Sequence, residues 1–198
     1  MNGDLHDYAA HVARAARTAA PRVAAADTAT KDAALASLAR ELRARRAWIQ
    51  EENGRDMRAG REAGLDAAML DRLLLTDARI EAMAAGVEEI RVLPDPVGAV
   101  DGLTRRPNGL MVGRMRIPLG VIAMIFESRP NVTVDASALT LKAGNAVILR
   151  GGKEALRSNL ALGEILRGAL AEAGLPEDAI IVVDRTDRAL VPALLARD

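Results

Sequence analysis

The sequence predicts an α/β protein in which a helical N-terminal segment is followed by a β-hairpin and then by the first part of a parallel sheet. Three observations carry that expectation. Apolar residues recur at helical spacing through residues 1–96; the two-proline segment LPDPVG, Leu93 to Gly98, halts the pattern; beyond it the β-branched runs VIAMIF, AVIL and AIIVV alternate with helical stretches. Strands apolar on both faces and separated by helices are those of a parallel sheet covered on both sides.

The elements follow in order. Leu5, Tyr8, Ala9, Val12 and Ala16 form one face of an amphipathic helix expected to end before Pro21. Thr28 or Thr30 is expected to cap a second helix carrying Leu35, Leu38 and Leu42. A third is expected from Ala47 to Arg61, breaking near Gly64, and Asp66 opens a short helix through Leu70. Thr76 with Asp77 caps a further helix bearing Ile80, Met83, Val87 and Ile90. Residues 97–118 read as a hairpin, strands at Ala99 to Thr104 and Leu110 to Ile117 joined through a Pro-Asn-Gly turn. Residues 119–198 hold the three apolar runs, with helices at Val132 to Lys142 and Lys153 to Ala173 between them, and a last helix expected from Thr186 or Asp187. Three strands make a partial sheet, so the sequence is expected to continue beyond Asp198.

Composition excludes several classes of function. With 198 residues, half of them apolar, the chain can bury a real core. Lys plus Arg and Asp plus Glu each number 27, so no net charge draws the protein to nucleic acid or an anionic membrane. The absence of cysteine removes disulfides, thiolate metal sites and a thiolate nucleophile from these residues. His6 and His11 have no acidic partner at ligand spacing, so no metal site is expected. No apolar run approaches the ~20 residues of a membrane helix and no signal peptide is evident, so a soluble, cytoplasmic, unprocessed protein is expected.

The chemistry is expected between Ile117 and Gly152, where a buried strand, the polar turn ESRPN, a helix, a second strand and a glycine pair outline a nucleotide site. Glu127 to Asn131 lie at the carboxyl end of a parallel strand, where open α/β sheets bind ligands. There the Asn131 amide and the first N–H groups of the helix can stabilise a developing oxyanion; equally, Ser128 or Asn131 can simply cap that helix. Arg150, Gly151, Gly152 and Lys153 end the second strand, and either basic side chain can meet a phosphate, although ordinary exposed turns look similar. Gly144-Asn145 reads as a helix C-cap. Arg43, Arg45 and Arg46 are expected on a solvated surface, as are Arg105 and Arg106, and Trp48 as half-buried packing.

The wording of this region adds more. PLGVIAMIFESRPNVTVDASALTLKAGNAVILRGGKEA closely resembles the nicotinamide-binding region of the γ-glutamyl phosphate reductase family, a branch of the aldehyde dehydrogenase superfamily. The resemblance extends to GLDAAMLDRLLLTDARI, LPDPVGAVDG and AGLPEDAIIVVDRTDRALV. It implies a Rossmann-like NADP-binding sheet and the reduction of γ-glutamyl phosphate by NADPH to glutamate 5-semialdehyde and phosphate, in proline biosynthesis. In that chemistry a cysteine thiolate attacks the acyl phosphate, phosphate leaves, and hydride reduces the thioester.

By position, the resemblance makes Asn131 the oxyanion candidate, with Glu127, Ser128 and Arg129 at the substrate. It puts Arg150, Gly151, Gly152 and Lys153 at the adenosine end of the cofactor, where two cations suit the 2′-phosphate of NADP. Residues 1–96 then belong to the cofactor domain, 97–118 to strands used in homo-oligomerisation, and 119–198 to an incomplete NADP-binding domain. The family's nucleophile is expected beyond the end of this chain, so these residues alone are expected to be inactive. Two rival readings remain at this point: another acyl-phosphate or aldehyde dehydrogenase of the superfamily, and a non-catalytic nucleotide-binding protein.

Overall fold

A computed structural model describes residues 2–197. The helical segment comprises α1 (Asn2–Ala24), α2 (Thr28–Ala44), α3 (Arg46–Glu62), α4 (Ala67–Leu73) and α5 (Asp77–Val92). A hairpin of β1 (Val100–Arg105) and β2 (Met111–Met115) follows. Then come β3 (Val121–Ile125), α6 (Asn131–Lys142), β4 (Ala146–Arg150), α7 (Leu156–Glu172), β5 (Ile180–Val182) and α8 (Leu190–Leu195). The expected α/β architecture is present, with β3, β4 and β5 forming a parallel sheet in that order.

Strand β4 is central and its apolar run is buried from Ala146 to Leu149. Ile148 packs with Ala9, Val12 and Ala16 of α1 and Leu190 and Leu194 of α8. Val147 and Leu149 belong to the larger core with Val134 and Leu141 of α6 and Leu162, Ile165 and Leu166 of α7. The same core takes in the apolar stripes of α2 (Leu35, Leu38, Leu42) and α5 (Ile80, Met83, Val87). Strand β3 is covered less completely: Ala123 and Ile125 are exposed.

Register is set at the strand starts. Val121 faces Ala146 and Ile125 faces Arg150. Before them, Asn145 Oδ1 accepts from Gly120 N at 2.9 Å and Gly120 O accepts from Ala146 N at 2.9 Å. As expected, Gly144 ends α6, at φ +74°. A β-carbon there would also stand 2.9 Å from Pro118 Cγ, so both conformation and space call for glycine.

Several element boundaries differ from expectation. Helix α1 runs past Pro21 to Ala24. A proline this close to the end removes one bond, to the carbonyl four residues back, while buried Ala19, Ala20 and Val23 hold the last turn against the core. Neither Thr28 nor Thr30 caps α2; Asp27 does, its Oδ1 accepting from Thr30 N at 2.8 Å. Helix α4 extends to Leu73, one turn beyond Leu70. The last helix starts at Leu190, because Asp187 Oδ1 takes Ala189 N at 2.8 Å and closes a local turn instead. Residues 184–187 are tied to α1: Tyr8 Oη donates to Asp184 Oδ1 at 2.6 Å, and Arg185 stacks on the Tyr8 ring and pairs with Asp4. Burial, reinforced by that bond to Asp184, pushes the Tyr8 phenol up to about 12.

Of the arginines expected on a solvated surface, Arg105 and Arg106 are exposed, while Arg43 and Arg45 join helices. Arg43 of α2 forks onto Glu81 and Glu88 of α5; Arg45 lies 4.0 Å over Trp48 and pairs with Glu164 of α7. Exposed pairs of this kind each contribute only ~0–1 kcal/mol.

Breaking a buried pair costs more. Lys31 of α2 is fully buried, and its Nζ lies 2.5 Å from Asp95 Oδ2 in the two-proline segment. Lys142, near the end of α6, gives Nζ to Asp32 Oδ1 at 2.6 Å and to Arg91 O at 2.7 Å. The segment read as a stop is therefore clamped to α2 by one lysine, while the second joins α6 to α2 and the end of α5. Burial opposes ionisation of Asp95, yet hydrogen bonds from Lys31, Val97 N and Thr28 Oγ1 outweigh it and hold its carboxyl below the usual range.

Asp95→Asn leaves the Lys31 ammonium buried without its counter-charge, and is expected to lower unfolding free energy by about 3 kcal/mol in urea denaturation. Because the folded pKa of Asp95 is depressed, its contribution is present above pH ~4 and lost as pH falls through the folded value. The variant should therefore lose part of the acid sensitivity of the native protein when melts are compared across that range.

Candidate functional site

Helix α7 starts without a capping side chain of its own. Its first N–H groups are satisfied from α3: Asp56 Oδ1 accepts from Arg157 N at 3.3 Å, and Oδ2 accepts from Ser158 N at 2.8 Å and Ser158 Oγ at 2.7 Å. Asn53, one turn earlier, donates Nδ2 to Ser158 Oγ at 3.0 Å and to Leu73 O at 2.8 Å, and its Oδ1 accepts from Leu75 N at 2.9 Å. Burial pushes the Asp56 carboxyl up, and its bonds from Ser158 and Arg157 pull it part of the way back. This cluster fixes the turn at Arg150 to Lys153 against the helical segment.

The β3 turn is tied to the same place. Ser128 Oγ donates to Glu154 Oε2 at 2.8 Å, and Thr133 Oγ1 in the first turn of α6 donates to Asn159 Oδ1 at 3.0 Å. Neither Ser128 nor Asn131 caps α6; Pro130 occupies the N-cap position with helical dihedrals, and there is no side-chain cap bond. The capping alternative for this turn is thus removed, leaving Ser128 to Glu154 and Asn131 to Asp135, whose Oδ2 accepts from Asn131 Nδ2 at 3.1 Å.

These turns enclose two adjoining hollows at the carboxyl edge of the sheet. The first, of about 550 Å³, is lined by Glu127, Ser128 and Arg129 after β3, by Arg150, Gly152 and Lys153 after β4, and by Thr186 and Arg188 after β5. Met69 and Arg72 of α4 close its far side. The second, of about 430 Å³, holds Asn131 and Asp135. Arg72 and Arg129 line both. Gly151 lies behind, where a β-carbon would collide with Asn159 Nδ2 and approach the Phe126 ring at 3.1 Å.

A dinucleotide phosphate suits the first hollow. Arg150 donates Nη2 to Thr186 O at 2.9 Å, but its buried Nε has no hydrogen-bond partner. Lys153 and Arg188 are exposed on the same wall and make no ion pair among the described residues. Three cations with unused donors fit a phosphate of high charge. Arg188, Met69, Arg72 and Asp135 were not marked in the sequence. Asp135 had a signal, standing four residues after Asn131 on one helix face; the α4 wall had none short of the tertiary fold.

No family model matches the chain. Individual proteins do. A γ-glutamyl phosphate reductase of Desulfotalea psychrophila is 54% identical over 191 residues, covering 96% of this chain and 46% of that protein. Over nearly its whole length the chain is similar to γ-glutamyl phosphate reductases. It spans about half the length of the curated relatives it matches. The crystal structure of γ-glutamyl phosphate reductase from Thermotoga maritima agrees in fold with a TM-score of 0.92 at 40% identity, over 94% of this chain and 45% of that one. A probable aldehyde dehydrogenase from Listeria monocytogenes shares the fold at 16% identity, with a TM-score of 0.74 over 98% of this chain and 40% of its own. The aldehyde dehydrogenase fold is thus present in this chain. Among the described residues no helix is long and apolar enough to cross a membrane.

The join between the two turns leaves no room for a side chain at Gly152, where a β-carbon would stand 2.5 Å from Ser128 Oγ and 3.1 Å from Ser128 N. Gly152→Ala should break the Ser128–Glu154 bond and lower stability by about 1–3 kcal/mol, read as a shift in the urea midpoint at unchanged slope.

Proposed function

We propose that this chain supplies the cofactor-binding side of an NADPH-dependent reduction of γ-glutamyl phosphate to glutamate 5-semialdehyde and phosphate, the proline-biosynthetic reaction, and that it does so only within a longer polypeptide. The observation that carries the reading is the first hollow, in which Glu127, Ser128 and Arg129 share walls with Arg150, Gly152 and Lys153 at the sheet's carboxyl edge. High identity to a protein named for this reaction supports the substrate.

The roles divide between the two hollows. Arg150 and Lys153, with Arg188 beside them, hold the adenosine end, and their charge favours a 2′-phosphate. NADPH, when bound, supplies the hydride. At the reacting end, one hydrogen of the Asn131 amide is held by Asp135, and the other is left to meet the oxyanion of the acyl group. Glu127 and Ser128 border the acyl phosphate, Arg129 stands between the two hollows, and the thiolate that must attack the acyl phosphate comes from residues outside this chain, which has no cysteine. In the complete protein the exposed apolar residues of the hairpin, Leu103, Met111 and Met115 among them, are covered by a second copy.

In the complete enzyme, Arg150→Ala with Lys153→Ala should raise the KM for NADPH roughly tenfold or more, while moving that for NADH much less; equal effects on both would argue against the 2′-phosphate role. Residues 1–198 purified alone should give no phosphate-dependent oxidation of glutamate 5-semialdehyde in a spectrophotometric assay. Turnover by that chain would place the nucleophile elsewhere than on a cysteine.

A further inference from the structure

The second hollow contains an imbalance of charge. Its walls are Asp71, Arg72, Leu74, Arg79, Met83, Arg129, Asn131 and Asp135, with Ala82. Arg79 and Asp71 satisfy one another: Arg79 Nη2 reaches the two carboxylate oxygens at 2.9 and 3.0 Å, and Nη1 is bonded to the carbonyls of Asp71 and Leu74. The other charged groups are left over. The guanidiniums of Arg72 and Arg129 make no hydrogen bond or ion pair among the described residues. Asp135 is half-buried, accepts the single bond from Asn131, and pairs with no lysine or arginine. Its carboxyl is pushed up by burial, with the Asn131 amide opposing in part, as for an anion that lacks a counter-charge.

A carboxylate short of a cation and two guanidiniums short of an anion, set around one hollow, match the head group of an α-amino acid. Leu74, Ala82 and Met83 offer apolar wall between them for a methylene stem. Because Arg72 and Arg129 also line the first hollow, a ligand seated here would reach the reacting end with its side chain. We propose that Asp135 receives the α-ammonium of the substrate while Arg129 and Arg72 receive its α-carboxylate, so that the second hollow is the subsite that selects an amino-acid aldehyde over a plain carboxy-aldehyde. This deepens the proposed reaction and rests on it. Glu127, by contrast, is exposed on the first hollow.

The test uses the complete enzyme in the oxidative direction, with NADP⁺ and phosphate, on two probes: glutamate 5-semialdehyde and 5-oxopentanoate, which differ in the α-amino group. Asp135→Asn keeps an acceptor for Asn131 but removes the charge. It should raise the KM for glutamate 5-semialdehyde roughly tenfold or more relative to that for 5-oxopentanoate, and be largely rescued by Asp135→Glu. Arg129→Gln with Arg72→Gln should raise the KM for both aldehydes. An Asp135→Asn variant that loses both probes equally, or neither, overturns the subsite while the proposed reaction stands. A native enzyme inactive on glutamate 5-semialdehyde overturns the reaction and the subsite with it.

Discussion

Helix α7 cannot start where it does unless α3 is docked beside it. A helix N-terminus carries N–H groups with no partner inside the helix, and leaving them buried and unbonded costs ~1–3 kcal/mol each. In α7 no neighbouring residue supplies the acceptor; Asp56 does, from 102 positions upstream of Ser158. The carboxylate loses hydration and regains two backbone N–H bonds and a hydroxyl, while Asn53 orders Ser158 and the turn between α4 and α5. The N-terminal helices are therefore part of the scaffold of the turns after β3 and β4, and α4, which closes the first hollow, is held by the same cluster.

From that anchor the two turns are built as one unit. Ser128–Glu154 and Thr133–Asn159 run from the β3 side to the α7 side, and the missing side chains of Gly151 and Gly152 make room for Asn159, Phe126 and Ser128. The glycine pair that reads as space for a phosphate is thus needed by the protein's own packing before any ligand arrives. At the opposite end of the sheet, Lys31 and Lys142 perform a related task with buried charges, fixing the segment that leads into the hairpin.

Much of the fold is legible in the sequence because its strongest signals are local. The runs at 121–126, 146–149 and 179–183 become β3, β4 and β5, and the turn PNG joins β1 to β2. What was illegible depends on partners distant in sequence. Asn53 and Asp56 read as polar positions of an amphipathic helix, and Lys31 and Lys142 as its solvated side, since nothing local distinguishes a buried ion from an exposed one. The site divides in the same way. Glu127 to Arg129 and Arg150 to Lys153 follow strands and could be marked from topology, whereas Arg72 and Arg188 join them only through the packing of α4 and the tether of residues 184–187 to α1. Asp135 was within reach of a helical-spacing argument applied to Asn131.

The hairpin stands apart from this network. All residues of β1 and β2 are exposed, so its strands are held by their own ladder, by the bonds between Gly98, Ala99 and Arg116, and by little apolar packing. An isolated two-stranded ribbon is marginal in water. Its amides in this chain therefore open to hydrogen exchange by local fluctuation, on a free-energy scale far below that of β4, without the core taking part. The molecule has two thermodynamic parts: a cooperative body that holds the turns after β3 and β4, and an appendage whose order must be supplied by whatever packs against it.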